Sequence, residues 1–501
     1  MAKHTGTTVL RGAHVIDPAQ AIDRVVDVIV TNGKIAAVDG EAPAGAEVVD
    51  LSGHYLSPGW IDLHIHAYGM LGFANPDTIG IYQGVTTFVD AGGPGIGVMD
   101  EFAALLEGQL VTDLYAGPYI RPMGIIGSQF IEGDIRSLMG MPITPYLDFM
   151  KEHPGLIRYL KVAALGNYGA GPLKMGKGLA EIIGVPLYGH IGEFQLQPDD
   201  PSAYEIFKIS GAGDMITHLY HANGPGVLGA DGKVLPLIRD AERRGVLFDV
   251  GFGSFNFSWE VATAAFAQDL RPHIISSDLQ QFGVVGPVFS LAHVMGIFKH
   301  LGMTVGEIID AVTWAPAKAL SLTDEAGSLT PGLPADITVF RTESGTFNVA
   351  DTYEKFRPIA ERIVPVMAFK RGVRYDSDLT LCQDERNWVF MFAEDHVPEA
   401  VSRLTRGQLD FLAALGTELE RWSWSYSLES LDLDKATALQ NMFRGLVAHS
   451  GISLRDALKA AFTCFLDSPF TLQIGLFLIQ LDREFALRRL REVTADRKVA
   501  A

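Results

Sequence analysis

Pro58-Gly59-Trp60-Ile61-Asp62-Leu63-His64-Ile65-His66 is an apolar, strand-like run that ends in two histidines one residue apart. Side chains alternate along an extended chain, so both imidazoles project from the same side. Two neutral nitrogen donors converge there. At the C-terminal end of a barrel strand such a pair can hold a divalent metal, which polarises a carbonyl and acidifies a bound water. A lone His-x-His reads more readily as two histidines that bind nothing. What shifts the balance is the rest of the chain, which supplies further ligand types at one regular interval.

Outward from that stretch, strand candidates recur about every thirty residues: Trp60 to Leu63, Thr86 to Asp90, Leu114 to Gly117, Ile157 to Val162, Pro186 to His190, Met215 to His218, Leu247 to Gly251 and Ile274 to Asp278. Helical stretches separate them. Strands alternating with helices imply parallel pairing, and eight such units are the number that closes a (β/α)8 TIM barrel, an α/β fold. The competing architecture is an open doubly wound sheet. No Gly-x-Gly-x-x-Gly follows the first strand, which counts against its dinucleotide-binding version.

The polar residues fall on the same grid. Lys161 follows His66 by 95 residues, His190 follows Lys161 by 29, His218 follows His190 by 28 and Asp278 follows His218 by 60. They therefore stand at the ends of strands one, four, five, six and eight, and in a barrel those ends point into one cleft. Each has an ordinary alternative: a surface charge for Lys161, a helix cap for His190, a satisfied core histidine for His218 and an N-cap for Asp278. Unrelated residues have no reason to share one register, which favours a common site.

Short strands precede the barrel, at Thr8 to Leu10, Val25 to Val30, Lys34 to Val38 and Glu47 to Leu51, with the hairpin signal Asn32-Gly33 between two of them. Strand-like segments return at Gly332 to Phe340 and Val364 to Arg371. The two pieces together suggest one discontinuous β-sandwich. After about Tyr375 the pattern becomes helical, with Leu404, Leu409, Leu412 and Leu415, then Leu439, Phe443, Leu446 and Val447, and last Leu472 to Leu490. This reading divides the chain into residues 1–57 and 327–375 for the β-sandwich, 58–326 for the barrel and 376–501 for an added C-terminal helical domain. The extension reads as packing against the barrel or as an oligomer interface, with a lid over the site as the sharper alternative. Trp422, Trp424 and Tyr426 read as core.

With 501 residues, 48% of them apolar, the chain can bury a large core. A formal charge of −19 without any basic stripe argues against nucleic acid or an anionic membrane as partner. Cys382 and Cys464 lie too far apart in sequence to indicate a disulfide framework or thiolate site, so a reducing cytoplasm is the expected location. Met1 to Val9 lacks a secretory pattern and Phe470 to Leu481 is too short to span a bilayer, which predicts a soluble protein. A small-molecule substrate and a homo-oligomer are the expected partners.

The chain resembles the amidohydrolase superfamily in the Pro58 to His66 run, in Tyr188-Gly189-His190-Ile191-Gly192-Glu193, Thr217-His218 and Ser276-Ser277-Asp278, and in the late Ala315-Pro316-Ala317-Lys318-Ala319-Leu320 with Gly332-Leu333-Pro334-Ala335-Asp336. The likeness spans roughly residues 7 to 375. Within the superfamily it is most similar to the dihydroorotase and hydantoinase branch, and to its deacetylase-like (N-acyl amino acid deacylase-like) members through Thr86-Thr87-Phe88-Val89-Asp90-Ala91-Gly92 and Phe248-Asp249-Val250-Gly251. That resemblance implies a binuclear zinc centre, two ions per chain. His64 and His66 would bind the more buried metal with Asp278, and His190 and His218 the more exposed one. Lys161, carboxylated by carbon dioxide, would bridge them, because a carbamate is an anion with two oxygens whereas a free ammonium would repel two cations. A shared hydroxide would be the nucleophile, with Asp278 as catalytic base and then acid.

The implied reaction is hydrolysis of an amide, linear N-acyl or cyclic, or of an ester, which places the protein among hydrolases of carbon–nitrogen bonds other than peptide bonds. The alternative is a mononuclear zinc deaminase of a nitrogen heterocycle, since His190-Ile191-Gly192-Glu193 resembles the pattern in which a glutamate shuttles protons. A barrel kept without chemistry would show lost ligands, and none is missing. Substrate contacts are expected from Asn167 and Tyr168, beyond Lys161, as oxyanion donors. An ordinary loop tyrosine is the equal alternative. His221 and Asn223, close after His218, are further candidates, with His221 alternatively a supporting hydrogen-bond donor. Arg121 is a candidate anion clamp against a surface ion pair. Glu193 is placed to fix a loop or move protons, and Gln280 and Gly283 to shape the wall.

Overall fold

Asn32 and Gly33 both adopt positive φ, 49° and 78°, the tight-turn geometry that the Asn-Gly pair favours. They join β2 (Ile22–Thr31) to β3 (Lys34–Val38) in a computed structural model that describes residues 5–69, 71–73, 75–106, 110–125, 143–163, 170–192, 202–224, 226–381, 392–424, 432–467 and 473–495. β1 (Thr7–Asp17) pairs antiparallel with β2, and parallel with β4 (Glu47–Asp50) and β5 (Tyr55–Pro58). The late strands join the same sheet. β13 (Ile337–Ala350) lies antiparallel to β5, followed by β14 (Phe356–Lys370) and β15 (Val373–Asp376). The segments on either side of the barrel thus build one eight-stranded sheet around a shared core that includes Leu10, Val28, Leu56, Ile337 and Phe369. β13 and β14 run well past the segments expected from sequence. β14 packs on the barrel helix Leu291–His300, where Gly296 lies beside Arg362 and Lys299 pairs with Glu361.

The barrel strands are β6 (Trp60–Ile65), β7 (Val85–Asp90), β8 (Asp113–Ala116), β9 (Leu160–Ala163), β10 (Leu187–His190), β11 (Met215–Thr217) and β12 (Leu247–Phe248). β6, β7 and β8 pair in parallel, as do β9 to β12. Parallel bridges join the two groups: Ala116 to Ile157 and Tyr119 to Lys161 on one side, Asp249 to Ile274 and Leu279 to Ile65 on the other. The eighth position, 274–279, closes the ring without becoming a regular strand. Its ladder is broken at Asp278, whose φ of 49° turns the chain while its N–H donates to the His64 carbonyl at 2.7 Å. The first crossover also departs from expectation. Among its described residues it holds two single turns, Pro76–Thr78 and Ile81–Gln83, instead of a full helix. Pro76 can only open a helix, and Gly80 and Gly84 interrupt the chain on either side of the second turn.

The β module is locked to the start of the barrel by Lys370, which is 2% exposed. Its ammonium donates to Asp113 and Asp336 at 2.7 Å each and to the Thr86 carbonyl at 2.9 Å. The C-terminal extension forms helices Arg406–Leu419, Leu433–Ser450, Leu454–Phe465, Ile474–Gln480 and Arg483–Ala495. They bury Phe411, Leu415, Phe443, Phe462 and Phe477, and Trp424 donates its indole N–H to Leu481 within that core. Trp422 is partly buried beside it, while Tyr426 and Cys382 lie outside the described residues. The extension packs on the helix Met99–Leu106, where Arg444 pairs with the buried Glu101 at 3.1 Å, and Gln473 donates to the Met123 carbonyl. No described helix is long and apolar enough to cross a membrane.

Candidate active site

The strand ends bring the sequence-predicted polar residues together. Asp278 Oδ1 lies 3.3 Å from His64 Nε2 and 3.2 Å from His66 Nε2, and Asp278 Oδ2 lies 4.0 Å from His218 Nε2. Lys161 Nζ is 3.1 Å from His64 Nε2, and His190 Nδ1 is 2.9 Å from His218 Nε2. His64, His66, Lys161, His218 and Asp278 are all buried, and His190 is partly buried. Burial pushes the imidazoles of His64 and His190 well below their ordinary range and that of His218 down to about 3. These rings are therefore neutral donors at neutral pH.

The donor set fits a metal. Ligands about 2.0–2.1 Å from a tetrahedral ion lie roughly 3.4 Å from each other, close to the 3.2–3.3 Å spacings around Asp278 Oδ1. His64, His218 and Asp278 offer ligand atoms within 4.8 Å of one another. The backbone is bent to achieve this. His218 and Asp278 both hold positive φ, 70° and 49°, a conformation costly for non-glycine residues and concentrated at functional sites. Glycines make room beside them: a Cβ on Gly253 would collide with the Asp278 carboxylate, and one on Gly251 with the Thr217 hydroxyl.

Behind His64 lies a group of residues to which the sequence reading gave no role. The hydroxyls of Tyr188, Thr217 and Ser276 all donate to Asp249 Oδ2, at 2.6, 2.7 and 2.7 Å. With their protons committed there, the oxygens of Tyr188 and Thr217 face His64 Nδ1 as acceptors, at 2.8 and 3.2 Å. The network thus assigns the proton to Nδ1 and leaves the Nε2 lone pair turned toward Asp278. Burial raises the Asp249 carboxyl to about 6. Asp90 does similar work for the loop after His66, accepting from Ala67, Tyr68 and Gly93 backbone N–H groups at 2.6–2.8 Å. Asp62 ties the first strand to the eighth by accepting from Ser277 N at 3.1 Å and His64 N at 3.3 Å, and burial raises its carboxyl to about 7. A buried carboxylate or hydroxyl at a strand end, as in Phe248-Asp249 and Thr217-His218, is the sequence signal that could have found these residues.

The expected substrate residues divide. His221 is buried, its ring against Gly192 and Gly226, and burial lowers it to about 4. Arg121 is buried after β8, its guanidinium 5.5 Å from the Tyr119 ring centre. Asn223 is occupied in holding loops: its amide donates to the Gly192 carbonyl at 2.8 Å. Gln280 donates to Asp278 Oδ1 at 3.4 Å, and Gly283 packs against Leu279 and Val288. Asn167, Tyr168 and Glu193 lie outside the described residues. A cavity of about 800 Å³ at the opposite end of the barrel, lined by Lys177, Asp214 and Lys318 among others, contains none of the metal-site residues.

Comparison with known proteins agrees with this geometry. The sequence profile described as the amidohydrolase family matches residues 274–374, the segment that carries Asp278. A deacetylase of Agrobacterium fabrum is 32% identical over 330 residues, covering 64% of this chain and 79% of that protein. The chain belongs to the amidohydrolase family. Among solved structures, an adenine deaminase superposes with a TM-score of 0.67 at 28% identity, covering 75% of this chain and 100% of that one. A dihydroorotase superposes with a TM-score of 0.66 at 27% identity, covering 77% and 99%. This amidohydrolase is thus a TIM-barrel hydrolase of the carbon–nitrogen class, and these relatives cover between 64% and 77% of its length.

Proposed function

We propose that this amidohydrolase is a binuclear zinc enzyme that hydrolyses an amide bond of a small molecule, with a linear N-acyl group such as that of an N-acyl amino acid as the first candidate. The observation that carries the reading is the convergence of four imidazoles, Lys161 and Asp278 at the strand ends. In this assignment His64, His66 and Asp278 would hold one ion and His190 and His218 the other, with Lys161, as a carbamate, the residue that would serve both. Lys161 is fully buried, and such desolvation favours the neutral amine that carbon dioxide requires. Bound there, two divalent ions supply Lewis acidity and an acidified water. Asp278 would accept a proton from the attacking water as its oxygen bonds to the carbonyl carbon, and would return it to the nitrogen as the carbon–nitrogen bond breaks. His221 and Arg121 are proposed to contact the substrate, together with Asn167 and Tyr168.

The deaminase reading keeps one supporting observation, because the compact trio His64, His218 and Asp278 could serve a single ion. Metal counting separates the two. Protein purified with zinc and bicarbonate should carry two metals per chain and a Lys161 heavier by one carbon dioxide, and should turn over one of a panel of N-acyl amino acids, cyclic amides, hydantoins and acyl esters. One metal with unmodified Lys161 would favour deamination. We take the enzyme to work in the cytoplasm as a homo-oligomer, the latter checked by its mass in solution.

A further inference from the structure

The hairpin β13–β14 belongs to the β module, yet its tip reaches the catalytic face of the barrel. The Tyr353 hydroxyl accepts from the Ala222 N–H at 2.8 Å and lies 3.0 Å from Asn223 Oδ1 and 3.2 Å from the Phe255 carbonyl, to which its single proton is offered. Asn223 continues the chain of contacts by donating to Gly192 at 2.8 Å. One phenol therefore pins the loop after the sixth strand to the loop after the seventh and, through Asn223, to the loop after the fifth. Those loops carry or adjoin His190, His218, His221 and Gly253, the last packed against Asp278.

The tip is itself held firmly. Asp351, 2% exposed, accepts from the N–H groups of Tyr353 and Lys355 at 2.9 Å each with one oxygen, and with the other from Trp259 N at 3.0 Å at the start of helix Trp259–Phe266. Thr352 meets both polar backbone groups of Phe257, at 3.0 and 2.9 Å. A carboxylate anchored on a helix start thus presents the phenol at a fixed height. His218 and Asp278 have holds of their own: His218 a 2.5 Å contact with the Gly251 carbonyl, and Asp278 its backbone bond to His64. Phe255, pinned through its carbonyl, has a side chain 48% exposed on the same loop.

We propose that Tyr353 is a positioning residue that makes the β module part of the substrate-binding wall, fixing the loops after strands six and seven, and Gly192 after strand five, relative to one another without touching the metal site. The kinetic part of this inference rests on the hydrolase reading above; the structural part does not.

The test is Tyr353→Phe in the full, metal-loaded chain, with Thr352→Val as the comparison that loosens the tip without removing the phenol. Amide hydrogen exchange at Ala222 should quicken on the order of tenfold in Tyr353→Phe, the size expected for loss of one or two hydrogen bonds. KM for whichever N-acyl amino acid the wild type turns over should rise by a similar factor, with kcat within about twofold and the metal content unchanged. Wild-type exchange at Ala222, an unchanged KM, faster exchange at Ala222 in Thr352→Val than in Tyr353→Phe, or loss of metal with faster exchange throughout the chain would each overturn the proposal. If the wild type turns over none of the panel, the hydrolase reading fails while the exchange comparison still decides whether Tyr353 pins the loops.

Discussion

Asp249→Asn is the substitution in which the supporting chemistry of this site can be measured apart from turnover. In the native site three hydroxyl protons are drawn to one carboxylate oxygen, at 2.6–2.7 Å, so the Tyr188 and Thr217 oxygens can only accept from His64 Nδ1. Asparagine keeps the shape but removes the charge. The two hydroxyls are then released to turn their protons toward His64 Nδ1, from 2.8 and 3.2 Å, and the imidazole proton can move to Nε2, which faces Asp278 at 3.3 Å. Each molecule in that tautomer lacks one metal-binding lone pair. Loss of such a supporting hydrogen bond typically weakens metal affinity by about 10–100-fold, or roughly 1.4–2.7 kcal/mol. Zinc titration of metal-free protein by calorimetry reads this directly, and thermal unfolding of the same samples checks that the fold is retained. Wild-type zinc affinity in Asp249→Asn would refute the tautomer argument. A weakened site that Tyr188→Phe fails to reproduce in part would place the effect elsewhere.

Three further outcomes are expected. Asp278→Asn should keep at least one bound metal through the four imidazoles yet lose turnover by about a thousandfold or more, as removal of a proton carrier demands; unchanged rates would remove Asp278 from that role. Lys370→Met strands the buried carboxylate of Asp336, formerly 2.7 Å from the ammonium, and should lower stability in urea unfolding by about 3–5 kcal/mol while metal content holds; a loss below about 1 kcal/mol would contradict it. Stability of the metal-free protein should fall in acid. His221 and His293 are held down to about 4 by burial against an ordinary 6.5, so below pH 6.5 the unfolded chain binds more protons. Their contribution is complete above pH 6.5 and drains away as the pH falls toward about 4, on the order of 3 kcal/mol for each imidazole. A flat stability profile across that window would be the contrary result.

The barrel was legible because its strands are short buried apolar runs at a constant interval, and that interval carries the polar residues to one end. His64, His66, Lys161, His190, His218 and Asp278 were each found this way, and the structure gathers all six. The Asn32-Gly33 turn was equally plain, since backbone conformation there follows from residue type. Less was visible where contacts join distant segments. Asn223 sits close to His218 in sequence and so suggested a substrate contact, but its amide is engaged by Gly192 and the Tyr353 phenol. Tyr353 itself lies 98 to 131 residues from its partners and carries no local signal.

What the amino-acid sequence determined alone was therefore whatever repeats or is local: strand–helix alternation, the tight turn, the register of ligands and the helical character of the extension. Tertiary structure decided three things: that Asp249 fixes the proton on His64, that Lys370 binds the β module to the barrel, and that a hairpin tip reaches the catalytic face. Each of these depends on hydrogen bonds between groups far apart in the chain. Periodicity says nothing about such distances, because a hydrogen bond is set by about 3 Å of space and not by any spacing along the backbone.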